Sequence, residues 1–211
     1  MREGEHHDNE RVTSMAIEPQ SEPDQGAGGM SLHLPGRPPY TVTDLLEFPD
    51  DGNRYELANG SLLVSPSPTP IRQRALARLL RVLDDAAPPE LEALPDVNLA
   101  VSQRDFYIPD VVVVPTEATS ATELMFKPAD LHLAVEIVSP STKARDRILK
   151  VGAYAAAGIP LYWRLELTEG HSLYVYELED GEYTPPVCYE GGKVAELVRP
   201  FPVSFDPADL T

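Results

Sequence analysis

Two apolar runs indicate strands that are buried on both faces of a sheet. Residues 111–114 are four consecutive valines, and residues 131–138 are almost wholly apolar, with Glu136 as the charged residue inside the run. Uninterrupted runs of this kind are typical of central strands, whereas a strand with one solvated face alternates. A helical pattern over residues 143–157 and a third strand-like stretch at residues 161–165 follow. The carboxylate of Glu136 is costly to bury unless it is paired, protonated or bound to a cation.

The remaining segments read as short strands and one long helix. Asn59-Gly60 between two β-like stretches predicts a hairpin over residues 54–64. Apolar residues recur at helical spacing over residues 71–87, between Pro70 and Pro88-Pro89. Arg72 falls on the apolar side of this helix and should point inward. Further strands are predicted within residues 91–101 and 172–189.

Composition limits the class of protein. The 211 residues fit one domain, which we place at residues 39–211, after an acidic Gly/Pro-rich tail at residues 1–38 that is predicted to be disordered. The single cysteine, Cys188, excludes an internal disulfide and a cysteine-based metal site, and is expected to be buried. No apolar run is long enough to cross a bilayer and the N-terminus lacks a secretory signal, so we expect no membrane partner and a cytoplasmic location.

The charge of the chain is strongly negative but unevenly distributed. A net charge of −17 disfavours tight non-specific binding to nucleic acid, because such binding comes mainly from cations on phosphates. Yet eight of the 17 Lys and Arg residues lie in residues 70–81 and 143–150, four in each segment. These segments are either solvated helix faces or a basic rim around an acidic site, and the pattern leaves both interpretations open.

Asp110 and Glu136 are candidate metal ligands. Asp110 stands at the start of the valine run, and Glu136 follows 26 residues later inside the second run. If the two strands are neighbours the carboxylates can converge, and converging carboxylates cannot both stay ionised without a cation. Mg²⁺ or Mn²⁺, with water and a carbonyl near Ile137 completing the shell, would satisfy them. From the residues alone, structural ion pairing is the stronger alternative.

The helical segment 143–157 carries an apolar and a polar stripe. The predicted buried stripe is Ala144, Ile148, Val151 and Ala155. The polar stripe is Lys143, Asp146, Arg147, Lys150 and Tyr154. By spacing alone Asp146 and Lys150 are an exposed i,i+4 ion pair.

Five motifs occur in the order found in a known family. They are Arg-Tyr-Glu-Leu-Ala-Asn-Gly at 54–60, Ser-Pro-Ser-Pro-Thr-Pro at 65–70, Pro-Asp-Val-Val-Val at 109–113, Val-Glu-Ile-Val-Ser-Pro-Ser-Thr at 135–142 with Asp146 and Lys150, and Gly-Ile-Pro-Leu-Tyr-Trp at 158–163. Over about residues 40–205 the chain thereby resembles the Uma2 family of restriction-endonuclease-like proteins, within the PD-(D/E)xK superfamily.

The resemblance implies an α/β (α+β) fold with a restriction-endonuclease-like core, in which helices flank a mixed central β-sheet and a β-hairpin lies N-terminal. It also implies a divalent-metal-dependent endonuclease that hydrolyses phosphodiester bonds in nucleic acid, with DNA as the first choice. Asp110 and Glu136 would bind Mg²⁺ (or Mn²⁺), and a lysine would orient or deprotonate the attacking water. A homodimer is compatible with the superfamily, although no motif signals one.

The chain departs from the superfamily pattern at the lysine, because Val138 stands two residues after the second acid. The resemblance makes Lys150 the first candidate to replace it and Lys143 the second. Candidate contacts to a substrate phosphate are Arg72, Lys143 and Asp146. Arg72 stands where many members have a histidine, so a permanent cation replaces a titratable group.

Glu56 matches the early glutamate of the family. It is expected either to bind metal or orient water, or to form an ion pair with Arg54 or with a helix lysine.

Two other functions stay open. A catalytically silent nuclease-fold protein that regulates or binds a partner would explain the acidic charge and the displaced lysine. A hydrolase of another phosphate ester would use the same acids.

Overall fold

The two apolar runs lie side by side at the centre of a mixed β-sheet. The structure, a computed structural model, describes residues 34–65, 67–138, 143, 145–168 and 170–211. The strands are β1 Arg54–Ala58, β2 Ser61–Ser65, β3 Leu91–Pro95, β4 Leu99–Ala100, β5 Phe106–Tyr107, β6 Val111–Pro115, β7 Leu133–Val138, β8 Leu161–Glu166, β9 Ser172–Glu179, β10 Glu182–Tyr183, β11 Val187–Tyr189, β12 Ala195–Leu197 and β13 Val203–Phe205. The helices are α1 Val42–Leu45, α2 Pro70–Ala86, α3 Thr116–Ala121 and α4 Lys150–Ala156, with a π-helix at Arg145–Leu149 and 3₁₀ helices at Pro128–Asp130 and Pro207–Leu210.

Within the described residues the strands form sheets of seven, four and two strands. The largest has the order β10-β9-β8-β7-β6-β3, with β11 also paired to β9. β7 and β8 are parallel, and their connection includes the π-helix and α4, since parallel neighbours need a crossover. The other pairs of this sheet are antiparallel. A mixed sheet flanked by helices confirms the predicted fold class.

Alternate residues of the central strands face different helices. Val111, Val113 and Val135 lie in the apolar cluster that also contains the buried side of α2. Val112 and Ala134 lie in a second cluster on the other face, with Tyr154 of α4. All four valines are buried, which explains why the run does not alternate. Even-numbered positions of β6 and β7 therefore face α4, and Glu136 is one of them.

The hairpin predicted at Asn59-Gly60 is present. β1 and β2 pair antiparallel, with Ala58 opposite Ser61. Asn59 and Gly60 have φ values of 49° and 73°, the left-handed backbone that a tight hairpin turn requires and that Asn and Gly tolerate best. β1 also pairs with β5, which brings the hairpin to the start of β6.

Helix α2 agrees with the pattern over residues 71–87. Pro70 is in its first turn, and its buried residues are Ala75, Leu76, Leu79 and Leu83. Arg74, Arg78 and Arg81 are exposed, whereas Arg72 is half-buried. The inward orientation predicted for Arg72 is confirmed.

The predicted buried stripe of the segment 143–157 is wrong. Ile148 is 76% exposed, and Val151 and Ala155 are only half-buried. The buried side chains are instead Asp146, Lys150 and Tyr154. Residues 145–149 form a π-helix, whose i→i+5 turn shifts the register of the side chains relative to an α-helix. Asp146 and Lys150 are thus not the exposed pair that their spacing suggested.

The exposure of Ile148 predicts that two similar truncations will have unequal effects on the free energy of unfolding. Leu79→Ala removes a fully buried side chain of α2 and should lower the free energy of unfolding by about 2–5 kcal/mol. Ile148→Ala removes an exposed side chain and should change it by less than about 0.5 kcal/mol. Urea denaturation of both variants beside the wild type measures the difference. An equal loss for Ile148→Ala would contradict the exposed position.

Several sequence predictions fall elsewhere or outside the described residues. Cys188 is exposed on β11, so the prediction of a buried thiol is wrong, because β11 is a short outer strand with largely exposed side chains. Residues 1–33, the greater part of the predicted disordered tail, lie outside the described residues, as do residues 139–142 and Ala144. Among the described helices, none is long and apolar enough to span a membrane.

Candidate active site

The antiparallel pairing of β6 with β7 brings Asp110 and Glu136 together. Val111 is opposite Val135, so Asp110, one residue earlier, is beside Glu136. The Asp110 N–H donates to the Val135 carbonyl at 3.0 Å, and the Ile137 N–H donates to Asp110 Oδ2 at 2.6 Å. Both acids are about 98% buried or more, with exposures of 1% and 2%. The proximity that the sequence required of these two acids is therefore present.

Glu136 accepts two short hydrogen bonds from α4. Lys150 Nζ lies 2.6 Å and the Tyr154 hydroxyl 2.7 Å from Glu136 Oε1. Burial raises the pKa of the Glu136 carboxyl above its ordinary value; Lys150 opposes this rise, and the negative charge of Asp110 adds to it. Burial also raises the pKa of the Tyr154 hydroxyl, so it remains a donor.

Lys150 is the cation at the centre of the site. Besides Glu136, its ammonium lies 2.9 Å from Glu56 Oε1 and 4.0 Å from Asp146 Oδ1. Burial alone would lower the pKa of Lys150, but the carboxylates of Glu136, Glu56 and Asp146 raise it above its ordinary value. Lys150 is therefore held as an ammonium, which favours charge stabilisation over proton abstraction.

Glu56 of β1 is an ion-pair partner of the helical segment. Its Oε1 accepts from the Ile108 N–H at 2.9 Å as well as from Lys150, and its Oε2 lies 3.2 Å from Arg145 Nη1. Burial raises the pKa of the Glu56 carboxyl, but Lys150 and Arg145 outweigh burial and lower it overall. Of the two roles open for Glu56, the geometry matches the pair with a helix lysine.

The π-helix explains how two cations reach Glu56 from one segment. Arg145 and Lys150 are five residues apart, which is the span of the i→i+5 hydrogen bond of a π-turn, and both contact Glu56. Arg147, in the same turn, binds both oxygens of Glu166, at 2.8 and 3.0 Å. π-turns inside helices are frequently associated with functional sites.

Asp110 has two arginine partners on its Oδ1 atom. Arg72 Nη2 contacts this oxygen directly, and Arg54 Nη1 lies 3.4 Å away. Arg54 also binds Asp96 at 2.6 Å and the Ile108 carbonyl. Arg72 also contacts β7, where its Nε donates to the Ile137 carbonyl at 3.1 Å.

Comparisons with known proteins identify the family and support the fold. A family model named Uma2 and described as "Putative restriction endonuclease" matches residues 42–211. The chain belongs to the Uma2 family. A solved structure, titled as a putative nuclease belonging to DUF820 from Anabaena variabilis, superposes with a TM-score of 0.63 over 81% of this chain and 96% of that chain. At 18% sequence identity it supports the fold alone. Among curated proteins, none matches this Uma2 chain.

The oxygen atoms at this Uma2 site fit a hard divalent cation in type and number. Asp110, Glu136 and the Ile137 carbonyl come from adjacent strands and present the oxygen ligands that Mg²⁺ and Mn²⁺ take. In the described part of the chain, no group of three or more His, Cys, Asp and Glu side chains is arranged to hold a metal. Because Mg²⁺ is commonly held by one or two carboxylates and several waters, two acids and a carbonyl are sufficient.

Each buried acid of the site has a described cation in contact. The buried acids are Glu56, Asp110, Glu136 and Asp146. Their cationic partners are Arg54, Arg72, Arg145 and Lys150. Since buried charges are stable only when paired, these contacts allow four buried acids to lie together in the fold.

Three residues of the site have contacts that the sequence did not indicate. Arg54 was expected as a candidate partner of Glu56 but binds Asp110 and Asp96, and Arg145 was assigned no contact with Glu56. Tyr154 was placed on the polar stripe without a role, although burial of a tyrosine implies a partner for its hydroxyl. The signal for Arg145 was the unusual density of charge in residues 143–150, but only the π-turn directs it to Glu56. Lys143 is half-buried, and its role stays a prediction.

Proposed function

We propose that this Uma2 protein hydrolyses phosphodiester bonds in nucleic acid, with DNA as the substrate and Mg²⁺ or Mn²⁺ as the cofactor. The observation that carries the proposal is the convergence of Asp110 and Glu136, with Lys150 at 2.6 Å from Glu136. Family membership supports the reaction class. Nucleic acid is expected to bind weakly outside the site, because the net charge is −17.

Asp110, Glu136 and the Ile137 carbonyl are the proposed ligands of the cation. When bound, such a cation polarises a phosphoryl oxygen and lowers the pKa of a coordinated water. The Ile137 N–H fixes Asp110 Oδ2, and Tyr154 with Lys150 fixes Glu136. These hydrogen bonds orient the acids before any substrate arrives, which is the condition for efficient electrostatic catalysis.

Lys150 is proposed to stabilise the negative charge that develops on the phosphoryl oxygens. Glu56 is proposed to position it from β1, and Asp146 from the preceding turn. A carboxylate repels phosphate, so we assign Asp146 to holding Lys150 rather than to a direct contact with the substrate. Lys143, at the start of the same segment, remains a proposed phosphate contact.

Cleavage assays test the proposal directly. We expect the wild type to cut plasmid DNA or oligonucleotides with Mg²⁺ or Mn²⁺ and to stop when EDTA is added. Asp110→Asn removes one carboxylate charge at a buried position and should lower the cleavage rate by at least about a hundredfold. Gel electrophoresis of end-labelled DNA and RNA substrates measures the rate and the substrate class.

Asp84→Asn is the matched control, because Asp84 is an exposed residue of α2 and should keep the wild-type rate. Equal cleavage by Asp110→Asn and the wild type, or no cleavage of any nucleic acid, would contradict the proposal.

The alternative is a catalytically silent nuclease-fold protein that acts through a partner. It is favoured by one observation: Arg72 lies on both Asp110 and the Ile137 carbonyl. A silent protein should cut nothing in the cleavage assays. Calorimetric titration with Mn²⁺ separates the two functions, because the absence of binding that depends on Asp110 and Glu136 would favour the silent protein.

A further inference from the structure

Arg72 bridges two of the three groups that we propose as ligands of the cation. Its Nε donates to the Ile137 carbonyl at 3.1 Å, and its Nη2 donates to Asp110 Oδ1. Nε and Nη2 belong to one edge of a planar, rigid guanidinium. This edge closes the gap between the two oxygens, so the guanidinium and an ion bound to both oxygens would exclude each other.

The ion pair between Arg72 and Asp110 is largely shielded from water. The Arg72 side chain is 13% exposed and its partner Asp110 is 1% exposed, and charge-assisted bonds are strong where water is excluded. An ion that binds both oxygens therefore requires the Arg72 side chain to rotate away from β6 and β7.

Arg54 does not occupy the same position. Its Nη1 is 3.4 Å from Asp110 but 2.6 Å from Asp96, and its Nη2 donates to the Ile108 carbonyl. Asp110 thus keeps Arg54 and the Ile137 N–H when Arg72 leaves. The site can lose the Arg72 contact without leaving Asp110 buried and unpaired.

We propose that Arg72 is a resident cation that competes with the divalent metal for Asp110 and the Ile137 carbonyl, and so sets the metal affinity of the site. The inference rests on the proposed function for the identity of the metal ligands. It goes beyond that function because it makes metal uptake depend on a movement of Arg72. We expect the affinity of the wild type for the free ion to be low for this reason.

Titration of Mn²⁺ alone, followed by the electron paramagnetic resonance signal of the free ion, tests the competition. Arg72→Gln removes the charge and should bind Mn²⁺ at least about tenfold more tightly than the wild type, because a like charge a few ångströms away is removed. Arg74→Gln removes an exposed charge from the same helix and should bind Mn²⁺ like the wild type. Adding Asp110→Asn to Arg72→Gln should abolish the gain.

Equal Mn²⁺ affinity of the wild type and a folded Arg72→Gln would overturn the proposal, as would a gain that survives Asp110→Asn. Circular dichroism checks folding. If Arg72→Gln does not fold, Arg72→Lys decides, because an ammonium is a point charge without the fork: a raised affinity supports the competition and an unchanged one overturns it.

The outcomes separate this inference from the proposed function. Tighter Mn²⁺ binding by Arg72→Gln without nucleic-acid cleavage by any variant supports the competition and rejects the nuclease. Metal-dependent cleavage by the wild type, together with unchanged Mn²⁺ binding by Arg72→Gln, supports the nuclease and rejects the competition.

Discussion

Lys150→Met is expected to lower the free energy of unfolding by about 3–5 kcal/mol at pH 7. Lys150 is buried, and its ammonium lies 2.6 Å from Glu136 and 2.9 Å from Glu56. Methionine is unbranched and fills a similar space, so the variant removes the charge with little change in volume. The loss arises because a buried carboxylate without its cation keeps its desolvation cost and loses the attraction that offset it.

The loss of Lys150 should destabilise Glu136 more than Glu56. Glu56 keeps Arg145 and the Ile108 N–H, whereas Glu136 keeps the Tyr154 hydroxyl as its described side-chain donor. Adding Glu136→Gln to Lys150→Met removes the negative charge of Glu136, the carboxylate that has lost its cationic partner. The double variant should therefore be more stable than Lys150→Met alone, and the non-additivity measures the coupling between the two residues.

Urea denaturation followed by circular dichroism gives the free energies of unfolding of the wild type, Lys150→Met, Glu136→Gln and the double variant, the four values that the coupling requires. Lys193→Met is the control, because Lys193 pairs with Glu190 at 2.7 Å but is 74% exposed, and solvent screens such a pair. Its stability should stay close to that of the wild type. A loss for Lys150→Met no greater than for Lys193→Met would show that Lys150 contributes nothing as a buried cation.

The central sheet and the hairpin could be predicted from short stretches of sequence, because local residues determine which faces are buried and where the turn lies. Four consecutive valines have no polar alternation, so the strand needs cover on both faces, and α2 and α4 provide it. Asn59-Gly60 fixes the turn of the hairpin through its backbone conformation. Such signals need no knowledge of distant residues.

The segment before α4 could not be predicted in the same way. A helical wheel assumes a constant period and assigns apolar residues to the inside, which places Ile148 in the core. The π-turn changes the period, and the acids on β1 and β7 make the interior favourable for Lys150. Ile148 is exposed because tertiary ion pairing decides which stripe is buried.

The candidate site was predictable in its acids and less so in its cations. Asp110 and Glu136 belong to strands that pair directly, so their proximity follows from topology. Arg54 comes from the hairpin and Arg72 from α2, which are distant in sequence from both acids. The sequence indicated that Arg72 points inward, but the backbone carbonyl that it binds at Ile137 has no signature in residue identities.

Glu136→Gln and Glu56→Gln are expected to impair cleavage in different ways. Glu136 is a proposed ligand of the cation, so Glu136→Gln should raise the Mg²⁺ concentration for half-maximal rate and lower the maximal rate by about a thousandfold, or roughly 4 kcal/mol. Glu56 has its oxygens engaged by Lys150, Arg145 and the Ile108 N–H. Glu56→Gln should therefore lower the maximal rate about 10–100-fold, the range for residues that orient a metal site.

The dependence of the rate on Mg²⁺ concentration distinguishes a ligand from a positioning residue. With Glu56→Gln the half-maximal Mg²⁺ concentration should stay within about threefold of the wild type, because Asp110, Glu136 and the Ile137 carbonyl are retained. A shift as large as that of Glu136→Gln would instead make Glu56 a third ligand, the other role that its sequence position allowed. The comparison is informative because both glutamates are buried and both contact Lys150, so burial and a shared lysine cannot account for a difference between the two variants.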